Sequence, residues 1–108
     1  MKIEILYVPG CPNHRPAADR VKQVLASEGA QAHIEEIAVQ DFAAAESLDF
    51  PGSPTIRIDG RDVEPQSSLG RPGLVCRLYR DSDAGGAGVP SLDVIRRALR
   101  ERRKAEQP

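Results

Sequence analysis

The sequence predicts an α/β fold, a central mixed sheet of four strands (five if residues 74–79 add one) flanked by three helices. Three observations carry that expectation. A strand-like run from Ile3 to Val8, a helical repeat and a second strand-like run follow one another before residue 40, the signature of a βαβ unit. Thr55-Ile56-Arg57-Ile58 and Arg61-Asp62-Val63 are joined by Asp59-Gly60, a strong hairpin signal. An apolar stripe at helical spacing then runs from Leu92 to Leu99. With 108 residues and 40% apolar content, the chain 1–108 suits one domain with a modest core.

Ile3, Ile5, Leu6, Tyr7 and Val8 are nearly continuously apolar, as in a central strand covered on both faces, and Pro9-Gly10 ends the run. Ala17, Ala18, Val21, Val24 and Leu25 recur every three or four residues, so a helix is expected to start near Asn13 to Arg15. Pro16 fits only its first turn, and Gly29 is a natural stop. Ala32 to Val39 reads as a second strand, parallel to the first. Its two polar residues per face place it at an edge. Asp41 is the expected N-cap of a short helix that turns Phe42, Ala45 and Leu48 inward.

Phe50 to Pro54 reads as a loop, then the hairpin follows. Glu64 to Gly73, with two prolines and two glycines, is expected to be a loop. Leu74 to Tyr79 alternates, with Leu74, Cys76 and Leu78 on one apolar face, and either continues the fourth strand or forms a fifth. Cys76 on that face is expected to be buried, as free cysteines usually are. Asp81 to Gly88 reads as a flexible loop, and Ser91 caps the last helix, with Leu92, Ile95, Ala98 and Leu99 inward. Arg96, Arg97, Arg100, Arg102, Arg103 and Lys104 make the end of that helix basic, which suits its dipole and keeps it solvated.

Bulk properties narrow the function. A net charge of −1 gives no footprint for nucleic acid or an anionic membrane surface. No apolar run reaches the ~20 residues that span a bilayer, and Met1-Lys2 leads straight into a strand with no signal-peptide pattern. Two cysteines make no disulfide framework, so a cytoplasmic location is expected. No cofactor is expected, and the oligomeric state is open.

Cys11 is the chemically informative residue. It stands between the first strand and the first helix, where helix N–H groups and the helix dipole favour a thiolate. His14 follows three residues later, close enough to accept its proton or stabilise its charge.

Three stretches also carry a resemblance. Gly10 to Ala17 reads Gly-Cys-Pro-Asn-x-x-Pro-Ala, Gly52 to Asp62 reads Gly-Ser-Pro-Thr-Ile-Arg-x-Asp-Gly-Arg-Asp, and Gly73 to Tyr79 reads Gly-Leu-x-Cys-Arg-x-Tyr. With the element order, these resemble a group of small bacterial thioredoxin-like proteins, some of them labelled alkylmercury lyase, over nearly the whole chain. The resemblance implies a thioredoxin fold, a reactive Cys11, a cis Pro54 framing it, and substrate contacts at Pro12, Asn13, Ser53 and Thr55. The chain departs from relatives that carry Cys or selenocysteine at the fourth motif position, which here is His14.

That departure leaves three readings open. Cys11, His14 and Pro54 form a catalytic monothiol redox site acting on a thiol or disulfide substrate (a small molecule or a protein) or a peroxide, with an outside thiol or Cys76 resolving the intermediate. Alternatively, the chain is a non-catalytic binding module that contacts a soft metal such as mercury or copper through Cys11 and His14, without a full metal site. Third, the scaffold is kept and the chemistry lost. Arg15 and Arg57 are candidates for holding a substrate carboxylate, and Tyr7 and Tyr79 are core residues or walls of the site. If the third strand lies between them, Cys11 and Cys76 are about two strand spacings apart, roughly 9–10 Å. No Cys11–Cys76 bond is then expected at rest, and no second thiol within reach of Cys11.

Overall fold

A computed structural model of the chain describes residues 1–68, 70–82 and 87–106. Four strands, β1 (Lys2–Tyr7), β2 (His33–Ala38), β3 (Thr55–Ile58) and β4 (Arg61–Asp62), form one sheet in the order β2-β1-β3-β4. β1 pairs parallel with β2 and antiparallel with β3, and β3 pairs antiparallel with β4. The sheet is therefore mixed, with β1 inside and β2 at an edge. Three α-helices complete it: α1 (His14–Glu28), α2 (Phe42–Ser47) and α3 (Leu92–Glu106). No helix among the described residues is long and apolar enough to cross a membrane.

The nearly continuous apolar run of β1, broken only at Glu4, is explained by its position. Ile3 and Ile5 join Ile56, Ile58 and the inward stripes of α1 and α3 in the larger core, and Leu6 joins Val39, Ala45 and Phe50 in a smaller core with α2. Successive side chains on a strand point to opposite faces, so a strand covered on both sides has no polar face to show. The five expected inward residues of α1 are the buried ones, and Gly29 ends the helix in a left-handed conformation (φ 60°). Asp41 caps α2 by accepting from Ala44 N–H at 2.8 Å, and Ser91 Oγ accepts from Val94 N–H at 3.1 Å. Asp59 and Gly60, both at positive φ, make the tight turn of the β3–β4 hairpin.

Two expectations fail. Phe42 is not inward but 56% exposed, at the first position of a helix only six residues long. The aromatic under α2 is Phe50. After the helix, Asp49 adopts φ 50° and reverses the chain, and Phe50 N–H donates to Ala45 O at 2.9 Å. The fully buried Phe50 ring thereby fills the space beneath the helix.

The second failure is larger. Residues 74–79 form no fifth strand; a single parallel bridge joins Cys76 to Ser53. Their facing is the reverse of the apolar pattern. Leu74, Cys76 and Leu78 are exposed, whereas Arg77 and Tyr79 are buried. The physical reason is Arg77. Its guanidinium donates to both carboxylate oxygens of Asp62 (2.6 and 2.7 Å), to Glu64 O (2.8 Å), to Ser67 Oγ (2.9 Å) and to Thr55 Oγ1 (3.2 Å). It also lies 4.3 Å from the Tyr79 ring centroid, and the Tyr79 hydroxyl donates to Pro54 O at 2.5 Å. Burying Leu78 and Leu74 instead would gain about 1.5–3 kcal/mol each at most. Against that stand the cost of stranding the Asp62 carboxylate and the Glu64 carbonyl that the guanidinium satisfies, about 3–5 kcal/mol, and the lost burial of the Tyr79 ring.

Glu64, 2% exposed, accepts from the N–H groups of Arg80 (2.7 Å) and Asp81 (3.0 Å). Burial alone pushes its carboxyl up, but the Ser67 hydroxyl, those two N–H groups and the Arg77 charge together hold it below the ordinary 4.5. The expected flexible loop at Asp81 to Gly88 falls in part, at residues 83–86, outside the described residues, as does Leu69 within the loop of residues 64–73.

Two outcomes follow. Arg77→Ala leaves the Asp62 carboxylate, only 11% exposed, without its guanidinium partner and is expected to cost about 3–5 kcal/mol in urea unfolding; a loss under about 1 kcal/mol would show that the network is not what holds this segment. Because the folded-state Glu64 carboxyl is held low, its stabilising share is present above its unfolded value and is lost as pH falls through the folded value. Stability should therefore fall on acidification below about pH 4.5, and less steeply in Glu64→Gln, by thermal unfolding across a pH series.

Candidate functional site

Cys11 is placed by a tight turn at the end of β1. Gly10 takes φ 87°, Cys11 N–H donates back to Val8 O at 3.0 Å, and His14 N–H donates to Cys11 O at 3.2 Å. The first helical residue is His14, so Cys11 lies one turn ahead of α1 and is half-exposed.

Beside it is an apolar cavity of about 200 Å³. Val8 to Pro12 form one wall, and Leu74, Val75 and Cys76 the other, with Ser53 between them. Ser53 ties the two walls together. Its hydroxyl accepts from Val8 N–H at 2.9 Å, its own N–H donates to Val75 O at 2.8 Å, and its carbonyl accepts from Arg77 N–H at 3.0 Å. The Ser53-Pro54 bond is cis, as the resemblance implied. Gly52 (φ 147°) lies so close to Arg77 that an added Cβ would meet Arg77 Cβ at 3.0 Å, so only glycine lets the two segments approach.

The cavity brings together Cys11, Pro12, Ser53 and Cys76 from the sequence candidates. Pro54 is buried just behind Ser53, and Thr55, fully buried, donates from Oγ1 to Gly52 O at 2.7 Å; neither lines the cavity. The Asn13 amide lies against Gly88 instead. Arg15 is an exposed residue of α1, and Arg57 donates to Asp49 O at 3.0 Å; both are outside the cavity lining.

His14 is where the geometry departs most from expectation. Its ring stacks on Tyr7, with centroids 3.6 Å apart and planes within 6°, and its Nε2–H donates to Glu36 Oε1 at 2.7 Å. The imidazole is thus held toward β2, and no hydrogen bond links it to the Cys11 thiol among the described residues. Glu36 carries no local signal for this role, because the β1–β2 register puts it beside Ile5 only once the strands pair. Tyr7 serves this stack rather than the cavity, and Tyr79 is buried, its hydroxyl pushed up by that burial.

Cys76 is the second correction. It is exposed, not buried, and lines the same cavity as Cys11; both thiols are free. Leu74 and Val75 beside it are apolar residues that line the cavity rather than the core. Among the described residues no three His, Cys, Asp or Glu side chains gather to hold a metal ion. A second cavity, about 590 Å³, lies between the hairpin and α3, shares no residue with the thiol cavity, and mixes acids and arginines without a cysteine or histidine.

No protein-family model, curated protein or solved structure matches the chain significantly.

His14→Ala removes a ring stack and a partly exposed hydrogen bond. It is expected to lower stability by about 0.5–1.5 kcal/mol while changing the alkylation rate of Cys11 less than about twofold. A drop in that rate of about tenfold or more, with stability unchanged, would assign the proton-accepting role to His14.

Proposed function

We propose that this chain is a thioredoxin-like, cytoplasmic thiol redox protein in which Cys11 reacts with disulfides. The observation that carries the reading is the placement of Cys11: half-exposed at the β1–α1 turn, against an apolar cavity next to the middle of a mixed sheet. The motifs around Cys11, Ser53 and Cys76 and the order of elements support the family resemblance.

The chemistry is thiol–disulfide exchange. The Cys11 thiolate attacks one sulfur of a substrate disulfide, a Cys11–substrate S–S bond forms, and the other substrate sulfur leaves as a thiolate. The cavity walls are apolar and contain no cation, since Arg15 and Arg57 lie elsewhere. They suit a disulfide flanked by apolar groups, as in a protein substrate, better than glutathione, whose carboxylates need charged partners.

Reaction with a small aromatic disulfide that releases a coloured thiolate tests this. Release of the first coloured thiolate by attack of Cys11 should run at least about tenfold faster than with an unstructured peptide cysteine. It should vanish in Cys11→Ser. Labelling of Cys11 no faster than the peptide thiol would overturn the reading.

A further inference from the structure

We infer that Cys76 is the resolving thiol for Cys11, so that two cysteines distant in sequence act as the dithiol that Cys11 and His14 cannot form. The inference rests on the proposed disulfide exchange at Cys11. Three observations carry it. Cys11 and Cys76 line one apolar cavity from opposite walls. Cys76 is exposed and free, although the apolar pattern of its segment would have buried it. His14, which occupies the usual place of a resolving thiol in the resembled motif, is drawn away to Tyr7 and Glu36.

The resting geometry keeps the thiols apart but close. Extending the β1–β3 register by two residues sets Val8 opposite Ser53, and Ser53 is bridged on its other side to Cys76. Val8 and Cys76 are then two strand spacings apart, about 9–10 Å. A disulfide needs Cα atoms within about 7 Å. The turn from Val8 carries Cys11 to the cavity, and the remaining gap is closed by movement of the outer wall. Among the described residues its backbone bonds are Gly73 N–H to Phe50 O, Ser53 N–H to Val75 O and Arg77 N–H to Ser53 O, which flank Cys76 and leave its own peptide groups free to turn. Arg77 and Tyr79 anchor the segment immediately after it.

The cycle balances. After exchange at Cys11, the Cys76 thiolate attacks Cys11 Sγ, a Cys11–Cys76 bond forms, and the second substrate thiolate leaves. The substrate disulfide has gained two electrons and become two thiols, and the protein dithiol has lost two electrons and two protons. A dithiol reductant restores the free pair in the reverse sense.

The test uses the full chain with one equivalent of the same aromatic disulfide, acid quenching and intact mass without reductant. Wild type should release both aromatic thiolates, carry no adduct and lose two hydrogens, with Cys11 and Cys76 peptides linked within one chain. Cys76→Ser should release one thiolate and retain the adduct on Cys11. A wild-type chain that retains the adduct as Cys76→Ser does, or that forms a linked dimer instead, overturns Cys76 as the resolving thiol and leaves Cys11 exchange standing. No adduct on Cys11 in Cys76→Ser, with circular dichroism unchanged, overturns the exchange reading and this inference with it.

Discussion

Burying one guanidinium decides the second half of this molecule. Arg77 is 1% exposed in its side chain, and a cation taken that far out of water must be met by acceptors on nearly every side. Asp62 comes from β4, Glu64 O and Ser67 from the turn after it, and Thr55 from the start of β3, so one side chain ties four stretches together. Glu64 answers with its carboxylate, which receives the two N–H groups that follow Tyr79. These contacts replace the ladder of a fifth strand. Among the buried side-chain polar atoms of the described residues, Arg77 Nε alone is left without a partner.

That pairing also shows where the sequence was legible. Where burial is decided by apolar area alone, the pattern was sufficient. The five inward residues of α1, the caps Asp41 and Ser91, the hairpin turn and the central place of β1 all follow from spacing and turn chemistry. Where a polar contact competes with apolar area, spacing misled. In residues 74–79 the alternation was real, but a slip of one residue in which face is buried turns every side chain over. Only the acceptors on β4 and the following turn fix which face is inside. Phe42 and Phe50 are a smaller case, settled by the left-handed turn at Asp49, which no periodicity predicts.

The candidate site was legible in part for the same reason. The strand–turn–helix context locates Cys11, since Pro9-Gly10 stops β1 and Pro16 fixes the first turn of α1. The direction of the His14 ring is not local information. It depends on Tyr7 and on Glu36, a residue of β2 brought alongside by parallel pairing. Equally, Cys76 could be read as a core residue only while Leu74 and Leu78 were read as core residues.

The charges of α3 reinforce that division between holding and reacting. Arg100 pairs with Glu28 at the end of α1, Arg102 with Asp59 in the hairpin turn, and Arg97 with Asp81. A helix end that looks like a basic binding face is thus tied to three other parts of the fold, with acids supplied by each. Individually such exposed pairs contribute little. Their placement matters more: Asp81 also accepts from the Ser91 hydroxyl, so the far end of the 74–81 segment is anchored to the start of α3. From Arg77 to Asp81 the segment is fixed by ionic and hydrogen-bonded contacts, whereas Leu74 to Cys76 borders the cavity with few. A thiol set just ahead of such an anchor can move toward Cys11 without carrying the core with it.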